Sequence, residues 1–362
     1  MMALAQPRRR TSAPELIALA DSDIAEVAKF IAEQSGKNPE FVETHLRWFL
    51  LENPARRADD ALGFGLRFEG RLVGCILCVP QTFRFNDRTI DLMGSSSFYV
   101  DEDFRGQGGR IFLQYCRLGS RMPAFGTSAN PEAAGLWKAA GAKPLLGSQG
   151  ELLAVLRWPP LAEEFARRKY CNSIVTRIAG SSLSNLAALF RPLKIDVHKS
   201  IALRPLSSAE EVSSLGAHRS SSKLTANRDI SYIQWRYFSN RDKTAAFAFR
   251  SPLFGEEDIL VTVNQRQRGY RGQIKALNLL DVYPEAPPQV WLEIIGALAH
   301  QYQSVVDMIV LRHQKPEHRE FLCRRGLLWR AFEAPTGWLL DKSNLLPTEE
   351  VYFVPADGDG LI

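Results

Sequence analysis

The sequence predicts an α/β protein of two tandem domains, each a mixed central β-sheet flanked by helices. Three observations carry this. Short apolar runs bounded by Gly, Pro and Asp alternate with amphipathic helical stretches. A glycine-rich loop, Arg105-Gly-Gln-Gly-Gly109, joins a strand directly to a helix. The punctuation of the first half also recurs in the second at a nearly constant offset.

The elements follow in order. Ile17 to Ser35 carries apolar residues at helical spacing and stops at Gly36, and Pro39 to Leu51 forms a second helical pattern. Gly63 to Phe68 and Arg71 to Val79 are apolar runs split by Glu69-Gly70, a hairpin signal. Asp91 to Val100 reads as a strand, Arg110 to Gly119 as the helix after the loop, and Pro123 to Thr127 as the next strand. Pro131 to Ala140 reads as a helix, and Leu152 to Arg157 as the strand that closes the first sheet. Trp158 to Pro192 is helical in part, with a break at Ser181 to Ser184.

The pattern then repeats. Pro131 and Pro316 lie 316 − 131 = 185 apart, Gly141 and Gly326 lie 326 − 141 = 185 apart, and Leu46-Arg-Trp48 resembles Ile233-Gln-Trp235 at a separation of 187. Gly272 to Tyr283 is the second strand equivalent to Asp91–Val100, but Pro284-Glu-Ala-Pro-Pro288 replaces the glycine loop. Proline has no N–H to offer, so this copy lacks the donors of the first.

Composition bounds the chemistry. Of 362 residues, 45% are apolar and 23% charged, the balance of an ordinary folded protein long enough for two cores. The formal charge of +5 suits an anionic small molecule and is too mild and too dispersed to argue for nucleic acid. Arg266 to Arg271 is a basic stretch that fits an acidic substrate, RNA or a solvated hairpin tip. No stretch reaches membrane-spanning length, and five scattered cysteines fit a reducing, cytoplasmic setting. Cys75 and Cys78 lie three apart in a strand-like run, on opposite faces, and read as buried apolar side chains rather than a metal or redox pair. His313 and His318 lack a third ligand, so no metal is expected.

A phosphate needs donors, and a glycine loop opening a helix supplies backbone N–H groups with the positive end of the helix dipole. Taken by itself, Arg105–Gly109 fits a ligand-free turn as well as a phosphate cradle. It is neither a Walker loop nor a Rossmann fingerprint.

The run from Ser95 through this loop and helix, to Asn130-Pro-Glu-Ala133 and Leu136-Trp-Lys-Ala-Ala-Gly141, resembles the GNAT acyltransferase superfamily. That family's loop reads Arg/Gln-x-x-Gly-x-Gly/Ala, matched by Arg105 and Gly108, with Arg110 in place of the last small residue. Its later helix reads Asn-x-x-Ala-x-x-Leu-Tyr-x-x-x-Gly-Phe, matched by Asn130, Ala133, Leu136 and Gly141. The resemblance implies acetyl-CoA or another acyl-CoA as co-substrate. Backbone groups of Gly106, Gln107, Gly108, Gly109 and Arg110 would lie at the pyrophosphate with Arg105, and the strand Phe98, Tyr99, Val100 along the pantetheine arm. Asn130 would order the strand end and helix start beside the cofactor.

Two departures concern the chemistry. The tyrosine thought to protonate the departing thiolate is Trp137, and an indole N–H donates a hydrogen bond but transfers no proton at neutral pH. Where many family members place a carboxylate base, this chain has Ser95, Ser96 and Ser97. Ser96 and Ser97 are the candidates to relay the acceptor's proton, with Trp137 as a wall beside the thioester.

The expected organisation is a GNAT acyl-CoA-binding domain over 15–158, a helical connector over 159–198, a degenerate GNAT-like domain over 199–345 and a tail over 346–362. The expected activity is transfer of an acetyl or similar short acyl group to an amine or hydroxyl on a small-molecule or glycan acceptor. A tandem chain ending in a strand and an acidic tail, Val351-Tyr-Phe-Val-Pro-Ala-Asp-Gly-Asp359, resembles acyltransferases of cell-surface polysaccharide assembly. The alternative is a CoA-binding pseudoenzyme. Oligomeric state is left open.

Overall fold

The computed structural model describes residues 13–85, 88–118, 120–169, 203–213, 223–239, 244–255, 257–269, 272–312, 314–346 and 351–355. Most of the expected connector, Cys171, His313 and the tail after Pro355 lie outside them.

The described residues open with a strand where the sequence predicts a helix: β1 (Glu15–Leu19) pairs antiparallel with β2 (Gly63–Phe68). The helix α1 (Ile24–Ser35) starts only after Asp23, whose carboxylate accepts the Ala20 N–H at 2.8 Å and so fixes the chain turn into it. The apolar spacing of Ile17 and Leu19 serves a two-residue strand period at first and a helical period afterwards. Then come α2 (Pro39–Leu46), β3 (Arg71–Phe85) and β4 (Arg88–Val100). Glu69 and Gly70 both take positive φ (48° and 78°), the two-residue turn expected from the sequence.

α3 (Gly108–Leu118), β5 (Ala124–Gly126), α4 (Pro131–Ala139), β6 (Lys143–Pro144) and β7 (Gly150–Val155) complete the first half, followed by α5 (Trp158–Lys169). The second half supplies β8 (Arg204–Leu206), β9 (Thr225–Ala226), β10 (Thr244–Arg250), β11 (Asp258–Arg268) and β12 (Ile274–Tyr283). The helix Pro288–Tyr302 leads to β13 (Met308–Arg312), the helix Pro316–Arg324 to β14 (Leu328–Ala331), and β15 (Trp338–Leu340) follows.

The closing strands are exchanged. The first sheet runs β1-β2-β3-β4-β5-β15-β6, with β9 on β3, and the second runs β8-β10-β11-β12-β13-β7-β14. β7, expected to close its own sheet, instead pairs antiparallel with β13 and β14, and β15 takes the matching place between β5 and β6. Each sheet is therefore completed by the other half's strand. The strands cross at one point: Ser148 Oγ donates to the Gly337 carbonyl at 3.2 Å, and the Thr336 N–H to the Ser148 carbonyl at 3.0 Å.

The repeat is visible in detail. Two five-residue π-helical turns, Arg47–Leu51 and Gln234–Phe238, stand 187 residues apart. Within them Trp48 Nε1 donates to the Trp235 carbonyl at 2.9 Å, Trp235 Nε1 donates to the Trp48 carbonyl at 2.9 Å, and the indoles stack at 5.7 Å. A contact in which each residue does to its equivalent what is done to it marks an approximate two-fold axis between the halves. Apolar burial joins the halves across this axis, with Val27, Phe49, Leu77, Tyr232, Trp235 and Leu280 in one continuous core.

Candidate active site

β4 and β5 pair in parallel at only two positions, Met93–Ala124 and Gly94–Phe125, and then diverge. The fork has a wedge that sequence reasoning missed. Tyr115, fully buried on α3, donates to the Met93 carbonyl at 2.6 Å and shares its proton with the Phe125 carbonyl at 3.2 Å, so one hydroxyl ties the two strands where they part. Burial raises the Tyr115 phenol well above its ordinary range, so it stays neutral. Nothing local distinguishes it in sequence from another apolar helix residue.

Past the fork, β4 bulges. Between the pairs Cys75–Tyr99 and Leu77–Ser96, β3 advances two residues while β4 advances three. Ser97 absorbs the extra residue with φ +49°, a left-handed conformation costing about 1–2 kcal/mol for a residue with a Cβ. Successive strand side chains normally face opposite ways. The bulge breaks that alternation and brings the Ser96 and Ser97 hydroxyls within 3.3 Å of each other. Ser96 is 2% and Ser97 9% exposed.

The diverging strands enclose a cavity of about 180 Å³ lined by Ser95 through Tyr99, Phe112, Asn130 and Trp137. Trp137 forms its floor rather than a freestanding wall. It is 2% exposed and packs edge-on against Phe112 at 5.1 Å and Tyr115 at 5.8 Å. It also fits flat against β5 because Gly126 has no Cβ, which would come within 3.0 Å of the indole. Asn130 caps α4, its Oδ1 accepting the Ala133 N–H at 2.8 Å, and so sets the helix start at the cavity edge.

At the other end of the fork lies the glycine loop. Residues Glu102–Gln107 form a 3-10 turn that runs straight into α3, so the helix begins at Gly108 rather than Arg110. Gly108 sits against the strand, since a Cβ there would lie 3.3 Å from Val100 and 3.5 Å from Phe98. Its N–H is used on the Arg105 carbonyl. Gly106 and Gly109 face open space, and Arg105 is exposed. Arg110 is tied down beside the helix start: its guanidinium donates to the Pro14 carbonyl at 3.0 Å and to Gln107 Oε1 at 3.1 Å. Phe98, Val100 and Gly108 are thus brought into contact, Tyr99 faces the cavity, and Arg105 and Gly106 stand on the outer rim.

A second cavity of about 360 Å³ lies between the halves and shares Ser97, Tyr99 and Ser128 with the first. Its far side is built from Arg266, Arg268, Asn278 and Arg312. Behind it, Glu151 on β7 is fully buried and receives three arginines. Arg268 donates to both carboxylate oxygens at 2.8 and 3.1 Å, Arg312 Nε donates at 3.1 Å, and Arg330 lies at 2.6 Å. Burial alone would raise the Glu151 carboxyl, yet these guanidiniums hold it below the usual carboxylate range. Only the exchange of β7 sets residues 151, 268, 312 and 330 side by side, which is why no sequence motif announces them.

The equivalent fork of the second half is filled. β12 leaves β13 after Leu279, and the residues beyond the split meet Tyr352, Phe353 and Val354, with the Tyr352 hydroxyl on the Val282 carbonyl at 2.7 Å. The remaining cavity is about 10 Å³. Past the split in β12, Asp281 is locked by Arg228 at 2.7 and 3.1 Å and by the Tyr237 hydroxyl at 2.5 Å.

The remaining titratable candidates are structural. Cys75 and Cys78 are buried, and burial pushes both thiols up to about 12. Among the described residues no group of His, Cys, Asp and Glu could hold a metal ion, and no helix is long and apolar enough to cross a membrane. His45 is buried among Phe41, Trp48 and Phe49, and burial, then Arg236, Arg266 and Lys37, lowers its pKa to about 3. It is neutral at physiological pH. The unfolded chain binds this proton below about 6.5 and the folded chain does not, so stability is full above that pH and falls as pH drops toward 3. Urea unfolding is expected to show about 2 kcal/mol lost between pH 6.5 and 5, from 1.36 kcal/mol per unit. His45→Phe should flatten that part of the profile, and an unchanged slope would assign the loss to other groups.

The sequence matches no family model, and the search of curated proteins found no match. Similarity appears in the fold. A GCN5-related N-acetyltransferase from Anabaena variabilis superposes over 90% of this chain and 72% of its own, with a TM-score of 0.55 at 10% identity. Saccharomyces cerevisiae N-myristoyltransferase with bound myristoyl-CoA superposes over 92% of this chain and 79% of its own, with a TM-score of 0.54 at 13% identity. A probable N-acyltransferase from Enterococcus faecalis gives 0.54 at 8% identity, over 91% and 72%. The chain has the tandem GNAT fold: two mixed sheets flanked by helices, as in the yeast enzyme.

Proposed function

We propose that this protein transfers an acyl group from acyl-CoA to an amine or hydroxyl of a small acceptor, with the donor in the N-terminal fork and the acceptor in the cavity between the halves. The observation that carries this is the asymmetry of the two forks. One is open and headed by a glycine helix start; the other is filled by Tyr352–Val354. In the open fork the thioester would lie along Phe98–Val100 with its pyrophosphate at the start of α3, where backbone dipoles favour an anion. Placement beside the acceptor is then the main source of rate: the acceptor–acyl bond forms as the thioester C–S bond breaks, and the Ser96–Ser97 pair is the proposed relay for the acceptor's proton on its way to the departing CoA thiolate. Short acyl groups, acetyl first, are the donors proposed, and a sugar or polysaccharide precursor is among the acceptors that fit.

Gly109→Asp tests the donor site without disturbing the fold. A Cβ there meets nothing within 4 Å, and a carboxylate at a helix N-terminus stabilises the helix by about 0.3–1 kcal/mol. The same charge would face the pyrophosphate. Calorimetry should give one acetyl-CoA per wild-type chain, and Gly109→Asp should bind at least about tenfold more weakly with its melting temperature held or raised. Unchanged affinity would move the donor elsewhere. Binding without turnover on any amine or hydroxyl pool would make the protein a CoA-binding pseudoenzyme.

A further inference from the structure

We infer that the acceptor carries an anionic group, a carboxylate or a phosphate, and that Arg312 and Arg268 seat it in the cavity between the halves. This rests on the acyl-transfer reading, which it narrows to a substrate class.

The cavity lining contains three arginines, Arg266, Arg268 and Arg312, and no carboxylate. Glu151 is the acid set against this cluster, and it lies behind the wall at 0% exposure, facing Arg268, Arg312 and Arg330 together. Arg268 and Arg312, both in the cavity lining, share this one carboxylate, so the wall presents positive charge that a ligand anion would complement. Arg312 is the best placed of the three. It spends only Nε on Glu151 and is 32% exposed on the cavity side, so both terminal amino groups remain without a partner among the described residues. A guanidinium held at Nε presents its other edge as a ready-made fork for two oxygens of a carboxylate or phosphate. Arg268, forked onto both Glu151 oxygens and 19% exposed, adds charge from the side.

Position decides the role. Across the cavity from the arginines stand Ser97, Tyr99 and Ser128, the wall shared with the donor fork. An acceptor anchored by its anion at Arg312 would present its amine or hydroxyl toward Ser97 and the thioester. At about 360 Å³ the cavity suits a small metabolite rather than a polymer. An amino acid and an amino-sugar phosphate are the two simplest molecules that combine the required groups.

The test uses the full chain and matched acceptor pairs: amino acids against their amides, and amino-sugar phosphates against the free amino sugars. CoA release and product mass are followed. The anionic member of a pair should be acylated with kcat/KM about 10- to 100-fold above the neutral one, the range for losing a charge-assisted hydrogen-bonded pair. Whether the amino acid or the phosphate arm responds identifies the anion. Arg312→Gln should raise the acceptor KM by a similar factor while leaving acetyl-CoA affinity unchanged, and Arg312→Lys should recover part of the loss because the charge returns without the fork. Equal kcat/KM within every pair, or an acceptor KM unmoved by Arg312→Gln, would overturn the assignment. Titration with inorganic phosphate and acetate separates the two layers. Binding to wild type but not to Arg312→Gln supports the anion site even where no acceptor turns over, and that outcome removes the acyl-transfer reading alone. Absence of binding by both anions in wild type removes the site.

Discussion

Replacing Ser96 and Ser97 together by alanine is expected to slow acyl transfer by about 10²- to 10⁴-fold, the cost of losing positioned proton transfer. The loss should fall on kcat, with acetyl-CoA affinity unchanged, because Ser97 lines both cavities and Ser96 lies beside it, away from the helix start. Ser97 allows a cleaner cut. Its φ of +49° is strained for serine and easy for glycine, so Ser97→Gly should hold the bulge, relieve up to about 1–2 kcal/mol of strain and still remove the hydroxyl. A chain that becomes more stable and slower at once would separate the chemical role of the hydroxyl from the shape of the strand. Single-turnover rates measured beside melting curves decide it. If both variants turn over at the wild-type rate, the serines line the cleft and the acceptor arrives already deprotonated.

The local parts of this site were legible in the sequence. A strand, a glycine pair and an amphipathic helix in succession fix a helix start beside a strand end, and the turn at Glu69-Gly70 and the cap at Asn130 follow from residue type. The duplication was legible as matching punctuation, because proline and glycine keep their places in equivalent turns. What was not legible depends on which strand lies beside which. Leu152–Arg157 has the apolar run of an interior strand, and such a run carries no record of the sheet that receives it. The Glu151 cluster and the inter-half cavity depend on that exchange, so they could not be read from spacing. The bulge at Ser97 was hidden for another reason: a serine in left-handed conformation is held by its neighbours and not by its own preference. Tyr115 was missed because a tyrosine that bonds to backbone carbonyls looks, in sequence, like any aromatic packed in a core.

The second large effect is expected in the half proposed not to bind the donor. Asp281→Asn should destabilise the protein by on the order of 3–5 kcal/mol, because it removes the charge that compensates an almost fully buried Arg228. Arg228 keeps its bond to the Ala226 carbonyl and its place 4.4 Å over the Tyr283 ring, but neither neutralises a guanidinium out of water. The Tyr237 hydroxyl would lose its charged acceptor in the same step. Replacing both partners with apolar residues, Arg228→Met with Asp281→Leu, should recover much of the loss, since no uncompensated charge remains. Urea unfolding of the three chains measures this, and a mild Asp281→Asn would mean that Arg228 finds other compensation. The double variant also bears on why this half is silent. Asp281 lies past the split in β12 and lines the same small cavity as Tyr352–Val354, so the ion pair and that filling together occupy the second fork. Removing the ion pair leaves the Tyr352–Val354 filling in place, and no glycine helix start exists there to hold a pyrophosphate. Calorimetry on the double variant should therefore still give one acetyl-CoA per chain. Two equivalent sites would show that the ion pair alone had kept a working second site closed.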